Sequence, residues 1–194
     1  GRLRVALGAL AAGGLLLAAL AAIPVRMEPN AAKWHHDRAR ALVLSGRPDE
    51  ALAELEAALA IDPERYEARL TLANVLLESG RAAEAEAAYR RVLERRPREH
   101  AALNNLGALL ARTGRLEEAR ACFERALELD PSPGSVHLNL GRVLEGLGDA
   151  AGAAEHYRRA LELIEGGPAR AEARRALRRL EKVPGGDDDA EPRR

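Results

Sequence analysis

The sequence predicts an all-α protein, an α-solenoid of four stacked helix-turn-helix units. Composition gives the first indication: hydrophobic residues make up 47% of the chain but aromatic residues only 3%, so Ala and Leu supply most of the apolar surface. That mixture favours closely packed helices over strands. The second indication is a period of 34 residues shared by three residue types: Pro63, Pro97 and Pro131; Gly46, Gly80, Gly114 and Gly148; Ala51, Ala85, Ala119 and Ala153. A period shared in this way indicates a repeat array.

The period divides residues 32–167 into units 32–65, 66–99, 100–133 and 134–167. The third unit shows the pattern most clearly, because apolar side chains recur on one face of each of its two predicted helices. These side chains are Leu103, Leu106 and Leu110 in the first helix, and Ala119, Phe123, Ala126 and Leu127 in the second. Gly114 ends the first helix, where a left-handed residue is needed, and Pro131 ends the second.

Residue size follows the same period. Position eight of each unit is small and position twenty-four is large: Ala39, Ala73, Gly107 and Gly141 against Leu55, Tyr89, Phe123 and Tyr157. A small residue lets the two helices of a unit approach closely. Since one helix pair cannot bury its apolar face alone, we expect neighbouring units to stack and to share one core.

The pattern of small residue, Gly, Ala, aromatic residue, Ala and Pro resembles the tetratricopeptide repeat family. In the third unit it reads Gly107, Gly114, Ala119, Phe123, Ala126 and Pro131. The resemblance covers roughly residues 32–167. The first unit departs from the pattern, with Arg38 where Leu is usual and Leu55 where an aromatic residue is usual, and the fourth has Glu165 in place of the closing Pro.

The N-terminal segment predicts a membrane helix. No charged residue occurs from Val5 to Val25, and such a stretch is long enough to span a hydrocarbon core of roughly 30 Å. Residues 1–25 are therefore interpreted as a transmembrane anchor, followed by a linker over 26–31. The alternative is a cleaved secretory signal, with Ala19 and Ala21 in an A-x-A arrangement.

The sequence predicts a membrane protein that crosses the bilayer once. Its repeats are expected outside the cytoplasm, in the periplasm. Arg2 and Arg4 before the apolar stretch favour a cytoplasmic N-terminus, whereas Arg26 and Lys33 after it favour the opposite orientation. A bacterial source is indicated by abundant Ala and by the near absence of Lys among the basic residues, since only Lys33 and Lys182 occur.

Residues 168–183 predict a C-terminal capping helix that Pro168 opens. Its apolar face would cover the last repeat, as solenoids require. Its other face is basic, which leaves RNA or anionic lipid binding as an alternative: Arg170, Arg174, Arg175, Arg178, Arg179 and Lys182. Residues 184–194 are rich in Gly, Asp and Pro, so we expect a disordered tail.

The family resemblance implies that the first helix of each unit lines a concave groove in which partner peptides lie. Carried onto this sequence, the predicted groove residues are Arg40, Thr71, Asn74, Asn104, Asn105, Arg112, Asn139 and Arg142. An amide side chain can pair with a peptide backbone whatever the peptide's sequence. Asn74 and Asn105 have the 31-residue spacing found in family members that clamp a terminal carboxylate. The basic partners of that clamp would fall at Leu70, Ser135 and Asn139, so carboxylate clamping is not predicted.

Catalytic and cofactor signals are weak, so no enzyme, cofactor or metal site is predicted. His35 and His36 are adjacent, and on a helix they point in different directions. No partnering motif is visible for His100, His137 or His156. Cys122, the only cysteine, lies beside Phe123 and is interpreted as a small apolar filler. Thirty basic and thirty acidic residues balance, so nucleic acid is not an expected partner, and no small-molecule substrate is predicted.

The sequence therefore predicts a membrane-anchored scaffold that binds a partner protein or peptide, in the assembly or biogenesis of a larger complex. The first alternative is a permanent structural subunit that docks through its convex face. The second is an RNA or lipid binder that acts through the basic C-terminal helix.

Overall fold

The computed structural model describes residues 30–181, and this part of the chain is helical throughout without strands. Its helices run α1 Ala31–Leu44, α2 Pro48–Ile61, α3 Tyr66–Glu78, α4 Ala82–Arg95, α5 His100–Arg112, α6 Leu116–Leu129, α7 Gly134–Gly146, α8 Ala150–Leu163 and α9 Gly167–Glu181. The predicted all-α class and the helical repeat architecture are confirmed. The predicted membrane helix over residues 1–25 lies outside the described residues, as does the predicted tail. None of the described helices combines the length and the apolar character that crossing a bilayer requires.

Consecutive helices pack as antiparallel pairs, and each pair packs on the next. The turn inside each pair contains a glycine with positive φ: Gly46, Gly80, Gly114 and Gly148, between 70° and 85°. A side chain would be strained in that conformation, which explains the glycine period seen in the sequence. One apolar core runs without interruption from Ala39 in α1 to Ala176 in α9.

The pairing of a small and a large residue is seen directly in the third and fourth repeats. A Cβ atom added to Gly107 would lie 2.9 Å from Cε1 of Phe123, and one added to Gly141 would lie 2.7 Å from Cε1 of Tyr157. Both rings are fully buried. The aromatic ring thus occupies the space that the missing side chain leaves, and this lets the paired helices cross closely.

The last helix closes the array. α9 packs on α8 and also approaches α7, so it takes the place that the first helix of a further repeat would occupy. Ala173 and Ala176 are buried against α8, and Leu177 and Leu180 pack at the edge of the core. The guanidinium of Arg170 donates to the carbonyl oxygens of Leu161 and Ile164. These carbonyl groups at the end of α8 have no hydrogen-bond partner within the helix.

Candidate functional site

The first helices of the repeats form one continuous face. α1, α3, α5, α7 and α9 are direct neighbours in that order, whereas α2, α4, α6 and α8 make no backbone-level contact with one another within residues 30–181. Because the first helices lie closer together than the second helices, the array curves with the first helices on the inside. We call this inner face the concave groove and the face formed by α2, α4, α6 and α8 the convex face.

A chain of side-chain amides lies at the centre of the concave groove. Asn105 Nδ2 donates to Asn74 Oδ1 at 2.9 Å, and Asn104 Nδ2 donates to Asn105 Oδ1 at 3.2 Å. The hydroxyl of Tyr89 also donates to Asn74 Oδ1, at 2.6 Å. These bonds join α3 to α5 and fix the orientation of the amides. The acceptor of Asn74 is used twice, so its Nδ2 group keeps two donors for other partners.

Burial changes the pKa of Tyr89, whose hydroxyl donates a hydrogen bond to this chain of amides. Tyr89 is fully buried, and this burial raises the pKa of its hydroxyl to about 12. The hydroxyl therefore stays protonated and keeps donating to Asn74 across the physiological pH range. In the same way, burial and then the neighbouring carboxylate of Glu145 raise the pKa of Tyr157.

The first of two cavities in the concave groove lies between α1 and α3. Its volume is about 290 Å³, and it is lined by Arg40, Val43, Leu44, Thr71, Asn74, Val75 and Glu78. Leu44 is 90% exposed at its rim. This cavity thus combines an apolar floor with one guanidinium, one carboxylate and one amide.

The second cavity lies between α5 and α7, over the start of α6. Its volume is about 330 Å³, and it is lined by Ala108, Ala111, Arg112, Leu116, Phe123, Asn139, Arg142 and Val143. Most of its wall is apolar. Arg112, Asn139 and Arg142 supply the polar edge, so the cavity suits an apolar group that is flanked by an acceptor or an anion.

The predicted groove residues fall into three groups along this face. Arg40, Thr71 and Asn74 line the first cavity; Arg112, Asn139 and Arg142 line the second; Asn104 and Asn105 lie between them in the amide chain. The structure therefore brings all eight onto the surface of one set of helices. Their part in binding a partner stays a prediction.

Besides the amide chain, Thr71, Asn139 and Arg142 are also engaged inside the protein. Thr71 Oγ1 donates to the carbonyl oxygen of Glu67 at 2.9 Å and also lies 2.9 Å from His36 Nε2. Arg142 Nε donates to Glu172 Oε1 of α9 at 2.7 Å, and its Nη1 donates to Asn139 Oδ1 at 3.1 Å. The sequence placed Arg142 in the groove but did not predict its carboxylate partner on α9. Within residues 30–181, Arg112 has no ion-pair partner.

The structure also brings together two histidines that the sequence analysis treated as unrelated. Nδ1 of His137 in α7 lies 2.9 Å from Nδ1 of His156 in α8, and Nε2 of His137 lies 3.1 Å from the carbonyl oxygen of Pro131. The first repeat contains an equivalent pair of side chains. His35 and Glu54 occupy the same two positions of the first repeat, and they too are in contact, at 2.6 Å between Nδ1 and Oε2.

Cys122 and the possible metal ligands are the other reactive side chains in the described part of the chain. Cys122 is half-buried, and burial raises the pKa of its thiol, so the nucleophilic thiolate is disfavoured. Across residues 30–181, no cluster of three or more His, Cys, Asp or Glu side chains could hold a metal ion.

The basic face of α9 is partly used for packing. Besides the contacts of Arg170, Arg179 Nη2 donates to Glu145 Oε1 at 2.7 Å and ties α9 to α7. Arg174, Arg175 and Arg178 are exposed and have no ion-pair partner in the described part of the chain. Two of the predicted basic side chains thus hold the cap in place.

Stacked helix pairs with a continuous inner face define the class of protein: a helical-repeat scaffold for protein–protein interaction. The tetratricopeptide repeat sequence profile matches residues 36–98, 70–132 and 115–168, and the chain belongs to this family. The predicted family is confirmed.

Solved structures agree with this assignment. PilF of Pseudomonas aeruginosa superposes with a TM-score of 0.70 at 28% identity, over 78% of this chain and 70% of its own. TTC0263, a thermophilic tetratricopeptide repeat protein of Thermus thermophilus, gives 0.62 at 28% identity, over 77% of this chain and 81% of its own.

A more distant match supports the fold alone. A tetratricopeptide repeat protein of Parabacteroides merdae gives a TM-score of 0.69 at 19% identity over 78% of this chain, and this chain spans 60% of its length. No curated protein sequence matches this chain.

Proposed function

We propose that the concave groove holds an extended segment of a partner protein, and that the chain acts as a scaffold in assembling a larger complex. The observation that carries this proposal is the amide chain of Asn74, Asn105 and Asn104 between the two cavities. An extended peptide presents carbonyl and amide groups at regular intervals, and oriented side-chain amides can pair with them independently of sequence.

The two cavities would supply selectivity. Each has space for one apolar side chain next to a guanidinium, Arg40 in the first cavity and Arg112 in the second. Arg112 is exposed and is not neutralised by another described side chain, so an acidic residue of the partner would be favoured beside the second cavity. The proposed ligand is therefore an extended segment with two apolar residues and at least one carboxylate.

The membrane part of the proposal rests on the sequence. An uncharged stretch from Val5 to Val25 would anchor the chain in a bilayer as a single span, and the repeats would lie outside the cytoplasm. Anchoring would concentrate the groove at the membrane surface, where the subunits of a membrane complex meet. Alkaline extraction of membranes from cells that produce the chain with and without residues 1–25 tests the anchor, and protease access in spheroplasts tests the side of the membrane.

Site-specific photo-crosslinking tests the groove. A photoreactive residue replaces Ala108, which lines the second cavity, or Ala121, its counterpart on the convex face. We expect a crosslinked partner from position 108 that disappears when Arg112→Glu or Asn105→Ala with Asn139→Ala is added. Arg125→Glu on the convex face is the matched charge reversal and should leave the crosslink unchanged. A partner recovered from position 121 alone would contradict groove binding.

That last result would instead support docking through the convex face. A cavity of about 460 Å³ is present there between α4 and α6, with Leu93, Leu103, Leu106 and Cys122 in its wall. RNA or anionic lipid binding through α9 is the less favoured alternative, because Arg170 and Arg179 are engaged in packing. Reversal of Arg174, Arg175 and Arg178 would abolish binding, with a steep salt dependence, if α9 bound RNA or anionic lipid.

A further inference from the structure

The contact between His137 and His156 has one consistent arrangement of protons. The carbonyl oxygen of Pro131 can only accept, so Nε2 of His137, 3.1 Å away, carries the proton and donates to it. Nδ1 of neutral His137 is then an acceptor, and the proton in the 2.9 Å contact belongs to Nδ1 of His156. The only ring nitrogen of the pair left without a hydrogen-bond partner in the described structure is Nε2 of His156.

This arrangement links three elements of the fold. Pro131 lies in the loop that joins the third and fourth repeats, His137 lies in the first turn of α7, and His156 lies in the middle of α8. His137 is only 7% exposed, while a cavity of about 440 Å³ lined by His137, Glu155, His156, Arg158, Arg159 and Glu162 opens the pair to solvent. The bond is thus internal but can be reached by protons.

Two protons can be added to the pair, with different consequences. The first goes to Nε2 of His156, and both hydrogen bonds survive. The second has to go to Nδ1 of His137, the acceptor itself, and it leaves two N–H groups facing each other between two positive rings. That step must break the hydrogen bond between the two rings, which joins α7 to α8.

We propose that His137 and His156 form an acid-sensitive clamp that holds α7 against α8 and opens when the pair takes up its second proton. Opening loosens the fourth repeat, which carries Asn139 and Arg142 in the wall of the second cavity. The clamp is a property of the fold and does not depend on the proposed function of the concave groove.

Polar and charged neighbours act on the pKa of both rings in both directions: the bond to Pro131 favours a charge on His137, and His137 disfavours a charge on His156. Glu155 of α8, Glu124 of α6 and Asp149 at the start of α8 act on His156 in favour of its charged form, and Arg159 of α8 disfavours a charge on His137. Burial is the largest influence on both rings and lowers the pKa of each below the ordinary value of 6.5. The neutral pair therefore contributes stability above about pH 6.5, and this contribution is lost as the pH falls through the lower pKa values of the folded state.

The first repeat supplies the matched control. His35 and Glu54 occupy the same repeat positions as His137 and His156, and there the ring faces a carboxylate oxygen, which can only accept. A protonated ring keeps such a bond. His156→Glu converts the fourth repeat to this arrangement, and because Pro131 already takes the Nε2 proton of His137, the variant holds a charged ring better than a neutral one.

Hydrogen exchange on the full chain tests the clamp, with protection factors compared at about pH 7.5 and about pH 5 after correction for the intrinsic rates. In the wild type we expect peptides of α7 and α8 to lose about tenfold more protection on acidification than peptides of α4, which serve as the internal reference. In His156→Glu the loss in α7 and α8 should vanish or reverse. Equal losses in α4, α7 and α8, or the same loss in wild type and variant, would overturn the proposal.

Nitrogen NMR of the wild-type chain gives a second readout in case the variant does not fold. We expect His137 as the Nε2–H tautomer, with a scalar coupling between the two Nδ1 atoms at neutral pH that disappears in acid. His137 as the Nδ1–H tautomer, or a coupling that persists when both rings are charged, would overturn the clamp.

Discussion

The first and fourth repeats place different side chains at equivalent positions of the same helix pair. Where the fourth repeat has Leu140, which is buried, the first has Arg38, which is exposed, pairs with Glu54 at 3.1 Å and lies 5.2 Å above the ring of Trp34. The fourth repeat has a neighbour on both sides, α6 before it and α9 after it, whereas the first repeat contacts only the second within the described structure.

The same position of the repeat can therefore have a different environment in different repeats. The helical hairpin fixes where a side chain points, and the presence of a neighbouring repeat then decides whether that place is core or surface. The departure of the first unit at Arg38 follows from this, whereas the departure at Leu55, which is fully buried, does not. Arg38 is acceptable because no further repeat covers it in the described structure.

The largest expected effect is at the position shared by Leu140 and Arg38. Leu140→Ala removes a fully buried side chain between helices and should lower the free energy of unfolding by about 3 kcal/mol. Urea denaturation followed by circular dichroism measures this loss. A loss as small as that of Arg38→Ala would show that the two positions are equivalent after all.

The second effect concerns close helix crossing. Gly141→Val places a branched side chain against the ring of Tyr157, which is 2.7 Å from where the Cβ atom would lie, and we expect a loss of about 3 kcal/mol. Ala39→Val is the counterpart in the first repeat. The first repeat has the smaller and more flexible Leu55 at the repeat position of Tyr157, so we expect about 1 kcal/mol. Thermal unfolding of both variants compares them, and equal costs would mean that the aromatic ring does not set the limit.

A third difference concerns acid. Nε2 of His36 lies 2.9 Å from Thr71 Oγ1, and burial lowers the pKa of this histidine. Its neutral form therefore stabilises the junction of the first and second repeats above about pH 6.5. This stabilisation is lost as the pH falls through the lowered pKa of the folded state. His36→Gln should flatten the pH dependence of protection in α1 and α3 and leave that of α8 unchanged. Parallel changes in α8 would show that the two ends of the array do not respond independently.

The smallest effect is expected for Arg38→Ala. Its contacts with Glu54 and Trp34 are on the surface, where solvent screens them, so the loss should be about 0.5 kcal/mol or less. A double-mutant cycle with Trp34→Ala separates the contribution of the ring. A loss above about 2 kcal/mol would mean that the first repeat buries this side chain after all.

The repeat architecture was predictable because its determinants are local and periodic. Gly114 and its equivalents end helices because they adopt a positive φ. The small size of Gly107 opposite the large ring of Phe123 indicates that the two helices of the repeat cross closely. The inner face was expected from the family resemblance, which implies that first helices line a groove, and Asn74 and Asn105 fall on first helices.

Contacts between distant positions were beyond the sequence argument. The partner of Arg142 is Glu172 on α9, and only the packing of the cap on α7 brings them together. The contact of His137 with His156 depends on how two helices cross, and a residue-by-residue scan for ligand motifs does not include it. His35 and Glu54 occupy the equivalent positions of the first repeat, and their contact too is visible only in the structure.

The placement of α9 has a consequence for the length of any ligand. Because this helix continues the row formed by α1, α3, α5 and α7, the inner surface of residues 30–181 is built from five helices although this part of the chain has four complete hairpins. Inserting a second copy of the fourth repeat, residues 134–167, ahead of α9 would lengthen that surface by one step and offer Arg170 the same carbonyl partners, so the footprint on a bound segment could be altered in modular increments.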